Sequence, residues 1–180
     1  MKSNKKQQGF TLIELVIVII ILGVLSVIAT PKLLSLSSEA QASSLQGVAG
    51  AIASVNKLVH SQTQIIGIAD NDDCSGDCNG HPNWDINIGH YFVNVSGTRL
   101  YVLKGYPLAS GGFPIIEENY RAVMGLSEDE FIFDSGSKFS IIPMKFKNKV
   151  SEIKAGTFKC HIENSNSISD NLYLALTDNC

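Results

Sequence analysis

Gly9-Phe10-Thr11-Leu12-Ile13-Glu14-Leu15-Val16-Ile17-Val18-Ile19-Ile20-Ile21-Leu22-Gly23 opens a run that stays largely apolar to Thr30, and Glu14 is its only charge. From Phe10 to Thr30 is 21 residues, roughly 30 Å of helix at about 1.5 Å per residue, one bilayer core. No charged residue occurs between Leu15 and Pro31. Ahead of the run, Met1 to Gly9 are mostly polar and carry Lys2, Lys5 and Lys6 without an acid; just beyond it stands only Lys32. By the positive-inside rule the N-terminus faces the cytoplasm and the rest of the chain lies across the membrane.

An ordinary secretory signal cut after Ala29 is the simpler reading. Two features oppose it. Glu14 inside the apolar run costs on the order of 3 kcal/mol at the bilayer centre, and a disposable signal gains nothing from it. The apolar periodicity also continues past Pro31, so the span reads as the start of one long helix.

The segment Lys5-Lys6-Gln7-Gln8-Gly9-Phe10-Thr11-Leu12-Ile13-Glu14 resembles the processing site of type IV prepilins, the signal of pilins and the related pseudopilins. The resemblance implies a basic leader, residues 1–9, removed on the cytoplasmic side by a prepilin peptidase and N-methyltransferase. The cut then falls between Gly9 and Phe10, Phe10 is N-methylated, and Glu14 is the acid needed for assembly. Pro31 falls where many such pilins carry a helix-kinking proline. The implied route is an inner-membrane precursor handed to the pilus assembly machinery, then a filament outside the cell.

Elementary electrostatics gives Glu14 a role of its own. After cleavage, Phe10 bears a free α-amine four residues before it. In a bundle of such helices an incoming amine can pair with the Glu14 carboxylate of a subunit already in place. Attraction is strong at low dielectric and an unpaired carboxylate there is costly, so the pair rewards one stagger.

Pro31 removes a backbone donor and kinks or locally melts the helix, and Gly23 is a second weak point. Leu45, Val48, Ile52, Val55 and Val59 recur at spacings of 3 and 4, one apolar stripe read as core packing. The helix is expected from about Phe10 to His60, roughly 75 Å. The expected divisions are 1–9 leader, 10–30 membrane and filament-core half, 31–60 amphipathic half, and 61–180 globular head.

In the head, Gly67 to Gly89 reads as a loop. His90–Val95 and Thr98–Lys104 flank Ser96-Gly97 as a hairpin. Gly105 to Gly112 reads as loop, Ile115 to Met124 as a short helix, and Phe131–Phe133, Phe139–Phe146, Thr157–Ile162 and Leu172–Leu176 as strands. The expected fold class is α+β, an antiparallel sheet laid on the amphipathic half of a long N-terminal helix. Leu45-Gln-Gly-Val-Ala-Gly50-Ala, Gly105-Tyr-Pro107 and Cys160…Cys180 resemble the mannose-sensitive haemagglutinin pilins. That implies a type IVa major pilin, a homopolymer used for attachment to surfaces or glycans.

Four cysteines, Cys74, Cys78, Cys160 and Cys180, lie beyond the span, where an even count favours disulfides; three pairings are possible. The pilin resemblance implies Cys160–Cys180, leaving Cys74–Cys78. Cys74-x3-Cys78-x2-His81 also reads as a zinc half-site, but no second pair lies nearby. The aspartates from Asp70 to Asp85 fit no calcium-loop spacing and read as a solvated acidic loop. No metal or cofactor is expected.

The chain's net charge is −3, and 17% of its 180 residues are charged, which excludes a strongly basic nucleic-acid binder. Loss of the three leader lysines leaves 11 basic against 17 acidic side chains, so nucleic acid is not an expected partner. Lys145, Lys147 and Lys149 alternate, so in a strand they project to one face, and together with Lys138, Lys154 and Lys159 they form the basic concentration of the head. The readings are DNA contact, a protected edge strand, or contact with a neighbour's acids such as Glu117–Glu118 or Glu128–Glu130. His60, His81, His90 and His161 are scattered and no nucleophile elbow or phosphate loop appears, so no enzyme is expected. Besides the structural pilin, two readings stay open: a type II secretion pseudopilin, and a minor pilin acting as a ligand- or DNA-binding module.

Overall fold

The computed structural model describes residues 10–71, 78–135, 138–164 and 173–180. The chain is α+β: a long apolar N-terminal helix followed by antiparallel sheets. It divides into two units, Met1–Ala40 and Gln41–Cys180. Helix α1 (Leu12–Ile65) contributes to both.

In the first unit, α1 runs through Gly23 and Pro31 as helix. The Ser26 hydroxyl donates to the Leu22 carbonyl and the Thr30 hydroxyl to the Ser26 carbonyl, each at 2.7 Å. Back-bonding of this kind bends helices, and Pro31 supplies no N–H to the carbonyl four residues before it.

In the second unit, the stripe read from the sequence is core. Leu45, Ile52 and Val59 are buried, and Val48 and Val55 pack against the same cluster with Val93, Leu100, Ile141 and Ile162. The helix ends at Ile65, not near His60. Thr63 holds the next buried position, its hydroxyl donating to the His60 and Gly105 carbonyls at 2.7 and 3.1 Å. Termination falls at Gly67, φ 77°. Its N–H reaches the Gln64 carbonyl at 3.2 Å, and the Ile68 N–H reaches that of Thr63 at 2.9 Å. These are the two bonds of a Schellman cap, with Ile68 buried beside it.

Two four-stranded antiparallel meanders replace the single sheet expected. The first comprises β1 (Trp84–Asp85), β2 (His90–Val95), β3 (Thr98–Leu103) and β4 (Tyr106–Pro107) in that order. Ser96 (φ 50°) and Gly97 (φ 86°) make the hairpin turn between β2 and β3. Lys104 (φ 48°) and Gly105 (φ 77°) make an equivalent turn into β4, so Tyr106-Pro107, read as part of a loop, is a short strand. Helix α2 (Pro114–Met124) starts with Pro114 in its first turn and stops at Gly125, φ 67°.

The second sheet comprises β5 (Phe131–Ser135), β6 (Phe139–Pro143), β7 (His161–Asn164) and β8 (Tyr173–Leu176). Strand β6 stops at Pro143, which cannot donate to a ladder. The expected strand to Phe146 is corrected accordingly: Met144–Lys149 are 3₁₀ and Val150–Lys154 form helix α3. The expected Thr157–Ile162 strand begins only at His161. Tyr120, Phe133, Phe139 and Tyr173 meet edge to face between α2 and this sheet.

Candidate functional site

The N-terminal site is built on one helix start. Thr11 precedes the first helical residue, Leu12, so Glu14 holds the third helical position. The Thr11 N–H donates to Glu14 Oε2 at 2.9 Å and the Thr11 hydroxyl to the same oxygen at 2.8 Å; the Glu14 N–H points back to Thr11 Oγ1 at 3.4 Å. This reciprocal capping box places a carboxylate on otherwise unsatisfied donors at a helix N-terminus. Thr11-x-x-Glu14 is the sequence signal for it. Phe10 is 90% exposed beside it, and Gly9 lies outside the described residues.

Leu12–Thr30 is the one described helix long and apolar enough to cross a membrane. Every large apolar side chain from Leu12 to Ile28 is exposed in the single chain. A continuous apolar surface of that extent needs a membrane or other protein around it.

At the other end of the chain, Cys160 and Cys180 are joined, with Cα atoms 4.9 Å apart and a sequence separation of 20. A clasp surrounds the bond. Lys159 N–H donates to Asn179 Oδ1 at 2.8 Å, Asn179 N–H returns to the Lys159 carbonyl at 2.9 Å, and Lys159 pairs with Asp178 at 3.2 Å. Cys78 is also disulfide-bonded, which denies its thiolate to zinc; Cys74 lies outside the described residues. The His81 ring accepts from the Asn83 N–H through Nδ1 at 3.1 Å and meets Tyr91 edge-on.

The acidic loop falls partly outside the described residues, at Asp72, Asp73 and Asp77. Asp85 is committed elsewhere: its Oδ2 accepts from the Tyr101 hydroxyl at 3.0 Å and from Arg99 at 3.3 Å. Among the described residues no three His, Cys, Asp or Glu side chains converge as a metal cage.

The lysine set is not a strand face. Lys145, Lys147 and Lys149 lie in the 3₁₀ segment, and four of the six lysines are paired within the head. Lys138 pairs with Glu163, Lys149 with Glu152 at 2.7 Å, Lys154 with Asp134 at 2.9 Å and Lys159 with Asp178. Such exposed pairs add little stability but consume the charge a polyanion would need.

His161 is buried beside the disulfide, and neither ring nitrogen has a hydrogen-bond partner among the described residues. Glu163 Oε2 stands 3.7 Å away, too far for a hydrogen bond. Burial pushes the imidazole below its ordinary pKa, against the opposing charge of Glu163. His90 shifts the same way through burial alone.

The motif described as "Prokaryotic N-terminal methylation motif" matches residues 4–30. The type IV narrow pilus major component PilA5 of Thermus thermophilus is 37% identical over 65 residues, 36% of this chain and 56% of that protein. The match thus spans about half of that relative's length. No solved structure matches. The methylation motif and the likeness to PilA5, on an α+β chain with this apolar helix, support a type IV pilin.

Proposed function

We propose that this chain is the structural subunit of a type IV pilus, a type IVa major pilin of the mannose-sensitive haemagglutinin kind. It is made as a single-pass inner-membrane precursor with its N-terminus in the cytoplasm. The leader, residues 1–9, is cut between Gly9 and Phe10, Phe10 is N-methylated, and the chain is polymerised into a surface filament that adheres to surfaces or glycans. Glu14 pairs with the α-amine of a neighbouring copy, and Gly23 and Pro31 give the helix its weak points. Residues 31–60 carry the head, 61–180, and disulfides brace it. The role is structural rather than enzymatic.

The observation that carries this reading is the continuity of the methylation motif with a span that buries none of its residues in the single chain. Such a helix needs a bilayer before assembly and other copies afterwards. The test is intact-mass and N-terminal peptide mass spectrometry on material sheared from cells. A dominant chain beginning at N-methylated Phe10, with its cysteines oxidised, supports the proposal. The processed chain in the membrane fraction and not in sheared material means a pseudopilin or minor subunit. A chain beginning at Thr30 refutes the reading.

A further inference from the structure

The head settles most of its charges internally. Arg99 pairs with Asp85, Arg121 with Glu117, and four lysines with carboxylates of their own chain. Glu128, Asp129 and Glu130 form no ion pair among the described residues. They sit in the turn between α2 and β5, which is held by the Asp129 N–H on Ser127 Oγ and the Phe131 N–H on the Ser127 carbonyl. Asp129 and Glu130 stand at a cavity of about 470 Å³ walled by Leu45, Val48, Leu126, Phe131, Met144 and Phe146. Lys145 lines it too, so two carboxylates against one ammonium leave an apolar groove of net negative charge.

The complement is carried by the same chain at another place. Between Gln41 and Gln64 of α1, Lys57 is the only charged residue. It is exposed and forms no ion pair among the described residues, and it adjoins Leu58, the one large apolar side chain exposed in that stretch, at 53%. Around them the outward face is small: Gly47, Gly50, Ser54 and Ser61. A surface of small residues lets another protein approach closely, with one apolar and one cationic projection.

We propose that this groove receives the Lys57–Leu58 projection of a second copy, Leu58 entering the apolar walls and Lys57 pairing with Asp129 or Glu130. The inference rests on the pilus reading and names the head contact it needs. Groove and projection are different patches, so the contact is heterologous: each copy offers both halves, and repetition builds an open filament rather than a closed dimer.

The test uses sheared filaments and a carbodiimide, which condenses a lysine amine with a touching carboxylate and takes up the water released. The expected product is a covalent dimer linked from Lys57 to Asp129 or Glu130, lost in Lys57→Arg, which keeps the charge and the filament. Lys57→Glu is expected to lower sheared protein at least fivefold with the processed chain still in the membrane. Adding Glu130→Lys is expected to restore it to within twofold. Normal filament yield in Lys57→Glu, or covalent dimers linked through Asp129 or Glu130 that persist in Lys57→Arg, overturns the proposal and leaves the pilus reading standing; links to Lys145 within one chain are set aside by reading only the dimer band. So does a double variant that fails to recover while the Lys57 cross-link is absent. Wild-type cells whose sheared material lacks the chain overturn the pilus reading itself.

Discussion

Thr11 and Glu14 cap each other at the start of α1, one Glu14 oxygen accepting both the N–H and the hydroxyl of Thr11 at 2.9 and 2.8 Å. The carboxylate proposed to meet a neighbour's amine thus already has a duty within its own chain. Capping needs an acceptor oxygen, whereas pairing across copies needs a charge.

Substitution at Glu14 separates the two duties. Glu14→Gln keeps an acceptor for Thr11 and removes the charge, so its filament yield should fall as far as that of Glu14→Ala, with processing intact in both. Quantifying sheared and membrane-bound chain checks this. Wild-type piliation in Glu14→Ala would sink the register argument, and recovery in Glu14→Gln alone would assign the residue to capping.

Cys180→Ser should weaken the head by roughly 3 kcal/mol on the chain-entropy account of a loop this long. The remaining clasp, Lys159 with Asp178 and Asn179, is exposed and compensates little. Thermal unfolding of the full chain in detergent should show a midpoint lower by several degrees, with less filament at the surface. An unchanged midpoint would contradict the account.

Stability of the head should depend on pH through His161 and His90, whose burial lowers their pKa values in the folded state. The folded head then binds fewer protons than the unfolded chain once pH drops below the ordinary histidine value of about 6.5. Stability is therefore full above that pH, declines as pH falls below it, and levels off only beneath the folded-state values. His161→Gln should flatten part of the decline, leaving the share due to His90. An identical slope in the variant, measured by unfolding midpoint between pH 7 and pH 5, would exclude His161.

Two glycines with positive φ should respond differently to alanine. At Gly105 (φ 77°) an added Cβ would lie 2.8 Å from His60 Nδ1 and 2.9 Å from the Ala69 carbonyl oxygen. At Gly97 (φ 86°) nothing lies within 4 Å. Gly97→Ala should cost about 1 kcal/mol of backbone strain, and Gly105→Ala at least twice as much, roughly 2–3 kcal/mol. The His60 ring stacked 4.3 Å from that of Tyr106 leaves little room to adjust. Equal losses in denaturant unfolding would show the junction to be softer than drawn.

Local chemistry made much of this legible in advance. The apolar run, the 3-and-4 stripe from Leu45 to Val59, the Ser96-Gly97 turn and the α+β class each depend on residues within one or two turns of chain. Gly67 and Thr11-x-x-Glu14 were equally local, and only their known signatures were needed to find the helix end and the cap. Other features were not legible, for a physical reason. The two-residue strands β1 and β4 exist only because β2 and β3 lie beside them. The lysines looked like one basic face until the fold brought Asp134 to Lys154 and Glu163 to Lys138.

By itself, the sequence determined one N-terminal helix long and apolar enough to cross a membrane, with basic residues ahead of it and an amphipathic helix and strands after it. Burial of apolar surface and backbone hydrogen bonding act over neighbouring residues, so periodicity reports them. Only the tertiary structure decided which charges cancel, where His161 is stripped of water, and that Glu128–Glu130 find no ion-pair partner among the described residues beside an apolar groove. Those outcomes depend on distances between segments tens of residues apart, which the packing of the two sheets sets and linear spacing does not encode.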